Sequence, residues 1–215
     1  MPRVRPIRAD EAPADLKAIY ERAPRTDGPA HAPEASLFTS QIEVLAHTPG
    51  ILTGLTEVYR WFGREGTVPR KYHELAIVVV SNLNRCTYCV SHHTPYALEF
   101  GGTEAQLRAI ADGVWRERRD LFDDAEWTVA EYAERVTLEP WKVSDELMAH
   151  LRAFLDEAQI VELTARITLC SFWNKFNDAL RLDLEPGVAE IAPGGDHAAN
   201  RRPDHVRLRA RRADG

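Results

Sequence analysis

The sequence predicts an all-α protein. Apolar residues recur at helical spacing along most of the chain, Pro or a capping residue precedes many of these stretches, and alternating strands with hairpin turns are absent. The 215 residues include 44% hydrophobic residues, enough for a folded core. The net charge of −6 argues against a dedicated nucleic-acid binder.

The predicted helices follow one another with short connections. Pro49 and Pro69 stand where proline favours a helix start, and Gly101 follows a predicted helix end. The β-branched run 77–80 could form a buried strand, but its helical flanks and the lack of a partner strand favour a buried helix. The predicted spans are 15–22, 36–47, 49–63, 69–83, 84–100, 103–113, 123–136, 143–156 and 158–182.

The chain divides into three predicted segments. Residues 1–35 form an N-terminal helix and a Pro/Gly-rich linker, 36–185 a helical domain, and 186–215 a flexible tail. Residues 201–215 hold six Arg and two Asp, a net charge of +4 that leaves −10 on the other 200 residues. A solvated tail is favoured over a tether to an acidic partner. Without a secretory signal or a run of about 20 apolar residues, we expect a cytoplasmic protein with no membrane partner.

Two of the three cysteines form a motif with a histidine, Cys86-x-x-Cys89-x-x-x-His93. On one helix these spacings place both thiols and the imidazole on one face. With Asn84 as N-cap, Cys86 would lie in the first turn, where the helix dipole favours a thiolate. Such a pair suits redox chemistry, because one thiolate becomes sulfenic acid, the other condenses with it, and the histidine moves protons.

The motif could also serve zinc binding, thioredoxin-type exchange or core packing. Zinc would need a fourth ligand from His92, Cys170 or a carboxylate, and no second Cys-x-x-Cys exists. A thioredoxin-type site needs a βαβ context, which is missing. Packing in the core is favoured for Cys170 alone, and His92 could equally be a packing residue. We therefore predict no metal and no cofactor.

The motif extends in both directions, as Glu74-x11-Cys86-x2-Cys89-x3-His93-x3-Ala97-x3-Gly101. This pattern resembles the signature of the alkylhydroperoxidase D-like, or carboxymuconolactone decarboxylase, superfamily. The resemblance implies that Cys89 attacks the hydroperoxide, that Cys86 is the resolving and reductant-facing thiol, and that His93 and Glu74 form a proton relay. The small residues at 97 and 101 would let a neighbouring helix approach closely.

The resemblance implies a thiol-dependent peroxidase that reduces organic hydroperoxides, with an external dithiol or thioredoxin-like protein as reductant and a homo-oligomeric assembly. Tyr88 departs from the founding peroxidase, which has a second histidine there. Tyrosine is a poor base at neutral pH but a hydrogen-bond donor. A carboxymuconolactone decarboxylase-like lyase is an alternative, although those decarboxylases lack the thiol pair. A non-catalytic thiol redox sensor is another.

Members of this superfamily often contain two related helical units. Aligning Glu162 with Glu74 sets Asn174, Phe176, Asn177 and Arg181 on Cys86, Tyr88, Cys89 and His93. We therefore consider a degenerate internal repeat, in which the asparagines and the arginine either hold the active-site helix or are ordinary surface polarity. Four aromatic residues could line a mouth for organic hydroperoxides or simply belong to the core: Trp61, Phe62, Phe172 and Trp173.

Overall fold

The computed structural model describes residues 2–22 and 38–194, and these residues form nine α-helices and three short 3₁₀ helices without a β-strand. The all-α prediction is confirmed. In chain order the helices are α1 (Ala14–Arg22), α2 (Thr39–Leu45), α3 (Pro49–Arg64), α4 (Arg70–Leu83), α5 (Thr87–Glu99), α6 (Glu104–Ala111), α7 (Asp124–Leu138), α8 (Asp145–Arg152) and α9 (Glu157–Leu180). The 3₁₀ turns are Trp115–Glu117, Arg119–Leu121 and Pro140–Lys142.

Local caps determine where several helices begin. α6, α7 and α9 each open with a capping box, in which two side chains three residues apart bond each other's backbone N–H groups. The pairs are Thr103 with Gln106, Asp123 with Glu126, and Asp156 with Gln159. Pro49 is the first residue of α3, as predicted, whereas Pro69 lies one residue before α4.

The central helix is α4, which packs against α5, α7 and α9. Every residue from 73 to 82 is buried, so this stretch has no solvent face. The β-branched run 77–80 lies inside it, which confirms the helix over the strand. Because α4 is enclosed, its polar groups must find partners inside the protein. Glu74 is one such group, and its partner lies on α5.

The turn between α4 and α5 differs from the prediction. Asn84 closes α4, Arg85 has a left-handed backbone with φ 56°, and Cys86 itself is the N-cap of α5. The amide of Asn84, the predicted cap, instead donates to Asn174 Oδ1 over 2.9 Å. Cys86 can cap the helix because its sulfur accepts the backbone N–H of Cys89 at 3.4 Å.

The end of α5 agrees with the prediction to within one residue. The helix stops at Glu99, and Gly101 adopts φ 100°, a conformation that favours glycine. The backbone N–H of Gly102 then donates to Ala97 O at 2.7 Å, and a Cβ on Gly102 would lie 2.7 Å from that oxygen. Gly101 therefore ends α5, and the close backbone approach at Gly102 lies within this turn.

The predicted internal repeat is wrong in its second half. α4 and α5 are two helices joined by the turn 84–86, but the matching region is the uninterrupted helix α9. Asn174 and Asn177 lie inside α9, and Arg181 is the left-handed residue, with φ 54°, that ends it. The chain leaves the helix at Cys86 but continues as helix through Asn174, so Asn174 is not the structural counterpart of Cys86.

Part of the predicted tail lies against the helices. The backbone N–H of Ile191 donates to Ser91 Oγ at 2.8 Å, and that of Gly194 donates to Asn82 Oδ1 at 3.3 Å. The rest of the tail, including 201–215, and most of the Pro/Gly-rich linker lie outside the described residues. In the described ranges, no helix combines the length and apolarity needed to span a bilayer.

Candidate active site

The two cysteines of the motif meet at the start of α5. Cys86 is fully buried at the N-cap, and Cys89 lies one turn later with 3% exposure. Burial raises the pKa of the Cys89 thiol well above its ordinary value, and a hydrogen bond to the Cys86 sulfur raises it further. The resting site therefore holds a protonated Cys89 thiol, which needs a base before it can attack.

Amides from α2 and α9 hold this turn in place. Asn177 Nδ2 donates to Cys89 Sγ at 3.2 Å, and its Oδ1 accepts from Gln41 Nε2 at 3.1 Å. Asn174 Nδ2 donates to Ser81 Oγ at 3.3 Å, and both asparagines are buried. The asparagines of α9 are thus internal contacts of the cysteine turn rather than surface polarity, and Asn177 gives the Cys89 sulfur a donor that favours its thiolate.

The Asn177→Ala variant is expected to slow alkylation of Cys89 by iodoacetamide about tenfold or more. A hydrogen bond to a charged acceptor contributes about 1.5–3 kcal/mol, and its loss raises the thiol pKa. Peptide mass spectrometry measures the rate at Cys89. Asn82→Ala is the matched control, because Asn82 is equally buried but bonds the backbone of Val78 and Gly194. Equal rates in the two variants would contradict the role given to Asn177.

Glu74 and His93 form a buried pair between α4 and α5. His93 Nδ1 lies 2.7 Å from Glu74 Oε2, and because a carboxylate only accepts, Nδ1 carries the proton. Burial lowers the pKa of His93, and the carboxylate only partly offsets this. Burial alone would raise the pKa of Glu74, but His93 and two arginines lower it overall. The pair therefore offers an unprotonated Nε2 beside an ionised carboxylate, the form of a general base.

A cavity of about 100 Å³ opens beside this pair, enclosed by residues of α2, α3, α4, α5 and α9. Cys89 and His93 both line it, whereas Cys86 does not. A molecule in the cavity therefore meets Cys89 and His93 together, with Cys86 behind them. The apolar walls include Ile42, Leu45, Leu52, Leu55, Ile77 and Trp173.

Only one of the four predicted aromatic lining residues faces this cavity. Trp173 lines it, but Trp61 and Phe172 are 42% and 40% exposed, and Phe62 is not part of the wall. The prediction is wrong for these three because helical spacing shows which residues share a face and not which way that face turns. Cys170 lies in the core as expected and also reaches the cavity wall, where burial raises its thiol pKa to about 11.

Tyr88 and His92 belong to a second buried cluster, centred on Glu185. Tyr88 Oη donates to Glu185 Oε1 at 2.6 Å, and His92 Nε2 lies 2.7 Å from Oε2. The backbone N–H of Ser40 also donates to Oε1, and the ring of Phe38 stacks on His92 at 4.8 Å. Burial alone would raise the pKa of Glu185, but its contacts with His92 and Tyr88 outweigh burial and lower it.

This cluster anchors the segment after α9 and adjoins the cavity wall through Phe38, although neither Tyr88 nor His92 lines the cavity. Burial, with the carboxylate of Glu185 beside it, raises the pKa of Tyr88 well above its ordinary value, so Tyr88 is a donor and not a base. Glu185 was not among the predicted site residues, because Pro186 and Gly187 mark the start of a loop. The one sequence feature that indicates its burial is that Glu185 directly follows two leucines at alternate positions, Leu182 and Leu184.

Glu185→Ala is expected to lower the free energy of unfolding at pH 7 by about 3–5 kcal/mol, because its loss leaves the Tyr88 hydroxyl and the Ser40 N–H without their acceptor. Because the pKa of Glu185 is lowered in the folded state, its contribution is present above the ordinary pKa of 4.5 and is lost as pH falls through the folded pKa. Denaturant unfolding at neutral and acid pH measures this. The difference in unfolding free energy between Glu185→Ala and wild type should shrink in acid, and a difference that stays constant would contradict the prediction. Glu65→Ala, at an exposed position, is the control.

Zinc ligation would be a different use of the same side chains. Across residues 2–22 and 38–194, no group of three or more His, Cys, Asp or Glu side chains is placed to hold a metal ion. The candidates for a fourth zinc ligand have other contacts: His92 with Glu185, and Cys170 with Ser81 Oγ at 3.4 Å.

The helical arrangement defines an alkylhydroperoxidase D-like fold, here with a buried cysteine pair beside a Glu–His pair. The chain belongs to the carboxymuconolactone decarboxylase family, whose members are generally enzymes: residues 50–134 match that family. The uncharacterized protein YdfG of Bacillus subtilis (strain 168) is 32% identical over 120 residues, which are 55% of this chain and 80% of YdfG.

Several solved structures share the fold. An uncharacterized peroxidase-related protein from Ralstonia eutropha JMP134, with an alkylhydroperoxidase AhpD core, superposes with a TM-score of 0.67 at 15% identity. That match covers 86% of this chain and 93% of the other. The debrominase Bmp8 superposes with a TM-score of 0.62 at 20% identity, over 85% of this chain and 92% of Bmp8.

Proposed function

We propose that this protein is a thiol-dependent peroxidase that reduces hydroperoxides through a Cys86–Cys89 redox pair. The observation that carries the proposal is that Cys89 and His93 line one cavity, with Cys86 directly behind. A peroxide in this cavity would find a nucleophile and a base, and the oxidised nucleophile would find a second thiol.

The first step consumes the peroxide. His93 Nε2 takes the proton of the Cys89 thiol, and the thiolate attacks one oxygen of ROOH. The O–O bond breaks, an S–O bond forms, and the leaving RO⁻ takes the proton back from His93 as ROH. Cys89 is then a sulfenic acid, oxidised by two electrons. Asn177 donates to the sulfur throughout, and Glu74 keeps the proton on Nδ1 of His93.

The second step restores the thiols. Cys86 attacks the sulfenic sulfur, water leaves, and the Cys86–Cys89 disulfide forms. An external dithiol, small or carried by a thioredoxin-like protein, reduces this disulfide by exchange and is itself oxidised to a disulfide. One dithiol is therefore consumed for each hydroperoxide reduced.

The cavity leaves about 100 Å³ of space beside Cys89 and is partly open to solvent. We therefore propose small organic hydroperoxides, whose O–O bond fits beside Cys89, as the substrates.

Homo-oligomer formation is part of the proposal. On α3, Ile51, Val58 and Trp61 follow one another at helical spacing and are 40–54% exposed. This apolar stripe suits contact with a second copy of the chain.

The test is anaerobic turnover of tert-butyl hydroperoxide with dihydrolipoamide. We expect equal amounts of tert-butanol formed and dithiol oxidised, with a Cys86–Cys89 disulfide accumulating when the reductant is omitted. Disulfide formation without turnover by any dithiol would instead favour a redox sensor. Two other outcomes would contradict the proposal if no peroxide is turned over. Decarboxylation of a carboxymuconolactone would favour a lyase. Debromination of 2,3,4-tribromopyrrole, the compound found bound to a Bmp8 variant, would favour a debrominase.

A further inference from the structure

The cavity contains a cation that neither the motif nor the proposed mechanism uses. Arg166, on α9, lines the same cavity as Cys89. Its guanidinium lies over the rings of Tyr59 and Phe62, with its central carbon 5.1 and 5.7 Å from their centroids. In the described part of the chain, Arg166 forms no salt bridge: no carboxylate oxygen lies within 4.0 Å of it. The two aromatic rings therefore hold the side chain in position but leave its N–H donors for another partner.

The cation lies near the pair that would activate the thiol. Arg166 lowers the pKa of both Glu74 and His93, so its guanidinium lies within electrostatic reach of them. Cys170 and Trp173, on the following turns of α9, also line the cavity. A short ligand bound at the guanidinium is thus held in one orientation, with its other end toward His93 and Cys89.

The charges around the cavity do not balance. Arg70 also lines it, and Arg70 Nε lies 3.4 Å from Glu74 Oε1. The other oxygen of Glu74 is bound to His93, so this one carboxylate faces two arginines and a histidine. Arg166 is half-buried, so water still screens part of its charge, but its N–H donors are open to an anion that enters the cavity. A planar carboxylate matches the guanidinium, because it can accept two parallel N–H bonds.

We propose that Arg166 is the specificity-determining residue of this site and that the preferred substrates are hydroperoxides bearing a carboxylate. The carboxylate binds Arg166, and the O–O bond lies at Cys89 and His93. That the reacting group is a hydroperoxide depends on the proposed peroxidase function. The recognition of a carboxylate by Arg166 does not depend on it, and the two are tested separately.

The kinetic test compares two hydroperoxides of nearly equal size, 3-hydroperoxy-3-methylbutanoate and its primary amide. In wild type, kcat/KM for the carboxylate should exceed that for the amide about tenfold or more, as charge-assisted hydrogen bonds predict. Arg166→Gln should remove this preference, and Arg166→Lys should keep part of it. The exposed Arg108→Gln, on α6, is the control and should keep the wild-type ratio. A ratio that is unchanged in Arg166→Gln overturns the proposal.

A binding test needs no peroxide chemistry. 3-Methylbutanoate should protect Cys89 from iodoacetamide at concentrations about tenfold below those required of 3-methylbutanamide, and this difference should vanish in Arg166→Gln. Protection by the carboxylate in a protein that turns over no hydroperoxide would support Arg166 and reject the peroxidase. Equal protection by acid and amide, or protection that persists in Arg166→Gln, would reject carboxylate recognition even if peroxidase activity is found.

Discussion

Cys89→Ser is expected to lower peroxidase activity by about 10³-fold or more, because removing a catalytic nucleophile leaves only binding and positioning. Cys86→Ser is expected to keep the first chemical step and lose turnover. The difference follows from access: Cys89 faces the cavity with His93, whereas Cys86 is fully buried at the N-cap. A hydroperoxide could reach Cys86 only if the turn 84–86 opened.

The measurement is one equivalent of hydroperoxide followed by a dimedone label for sulfenic acid, read by mass spectrometry. Cys86→Ser should release about one equivalent of alcohol and carry the label on Cys89, because no resolving thiol remains. Cys89→Ser should carry almost none. The double variant Cys86→Ser, Cys170→Ser is the control for the third thiol, and it should carry the same label on Cys89 as Cys86→Ser alone.

The place of Cys86 makes this a demanding test, since its sulfur stands at the N-terminus of α5 and accepts the backbone N–H of Cys89. That hydrogen bond does not bring Cys86 to the peroxide, so access decides. If Cys86 in the Cys89→Ser variant were labelled as fast as Cys89 is oxidised in wild type, the assigned order of the two cysteines would be reversed.

The sequence was sufficient for the fold class and for the set of residues that meet at α5. Periodicity and caps predicted a helix at nearly every observed position, because those signals are local. The structure brings Glu74, Cys86, Cys89 and His93 together as the motif spacing suggested. The turn itself could not be predicted in this way: Asn84 is a good cap in isolation, but its side chain bonds Asn174, a residue 90 positions away.

Long-range contacts explain the other differences. Glu185 is buried only because the segment after α9 returns to α5, where Tyr88 and His92 bind its carboxylate. Arg166 resembles a surface residue of a long helix until Tyr59 and Phe62 position it beside the cavity. In both cases the partner lies on another helix, so no pattern along one helix could identify it.

Glu74→Gln is expected to lower kcat/KM by about 10²–10⁴-fold, the usual range for general base catalysis. The carboxylate binds the Nδ1–H of His93 and leaves Nε2 free to take the Cys89 proton. A glutamine amide can instead present its N–H₂ group to Nδ1. That bond favours the tautomer with the proton on Nε2, the wrong form for a base.

The pH profile gives the variant a signature beyond lost rate. Burial lowers the pKa of His93 below its ordinary 6.5, while Glu74 raises it in part. The acid limb of kcat/KM in wild type should therefore lie below pH 6.5. Removing the carboxylate removes the raising contribution, so the acid limb of Glu74→Gln should move to still lower pH. An unchanged limb, or one at higher pH, would contradict the assignment of His93 as the base that Glu74 orients.

Glu162→Gln separates this effect from general damage to the core. Glu162 is also buried, and its Oε1 lies 3.2 Å from Nε2 of His73, the neighbour of Glu74 in sequence. Its carboxylate accepts the backbone N–H groups of Thr67 and Val68 and does not line the cavity. Its loss should lower stability but leave the acid limb in place. If both variants shifted the limb equally, the cause would be loosening of α4 rather than loss of the Glu74–His93 bond.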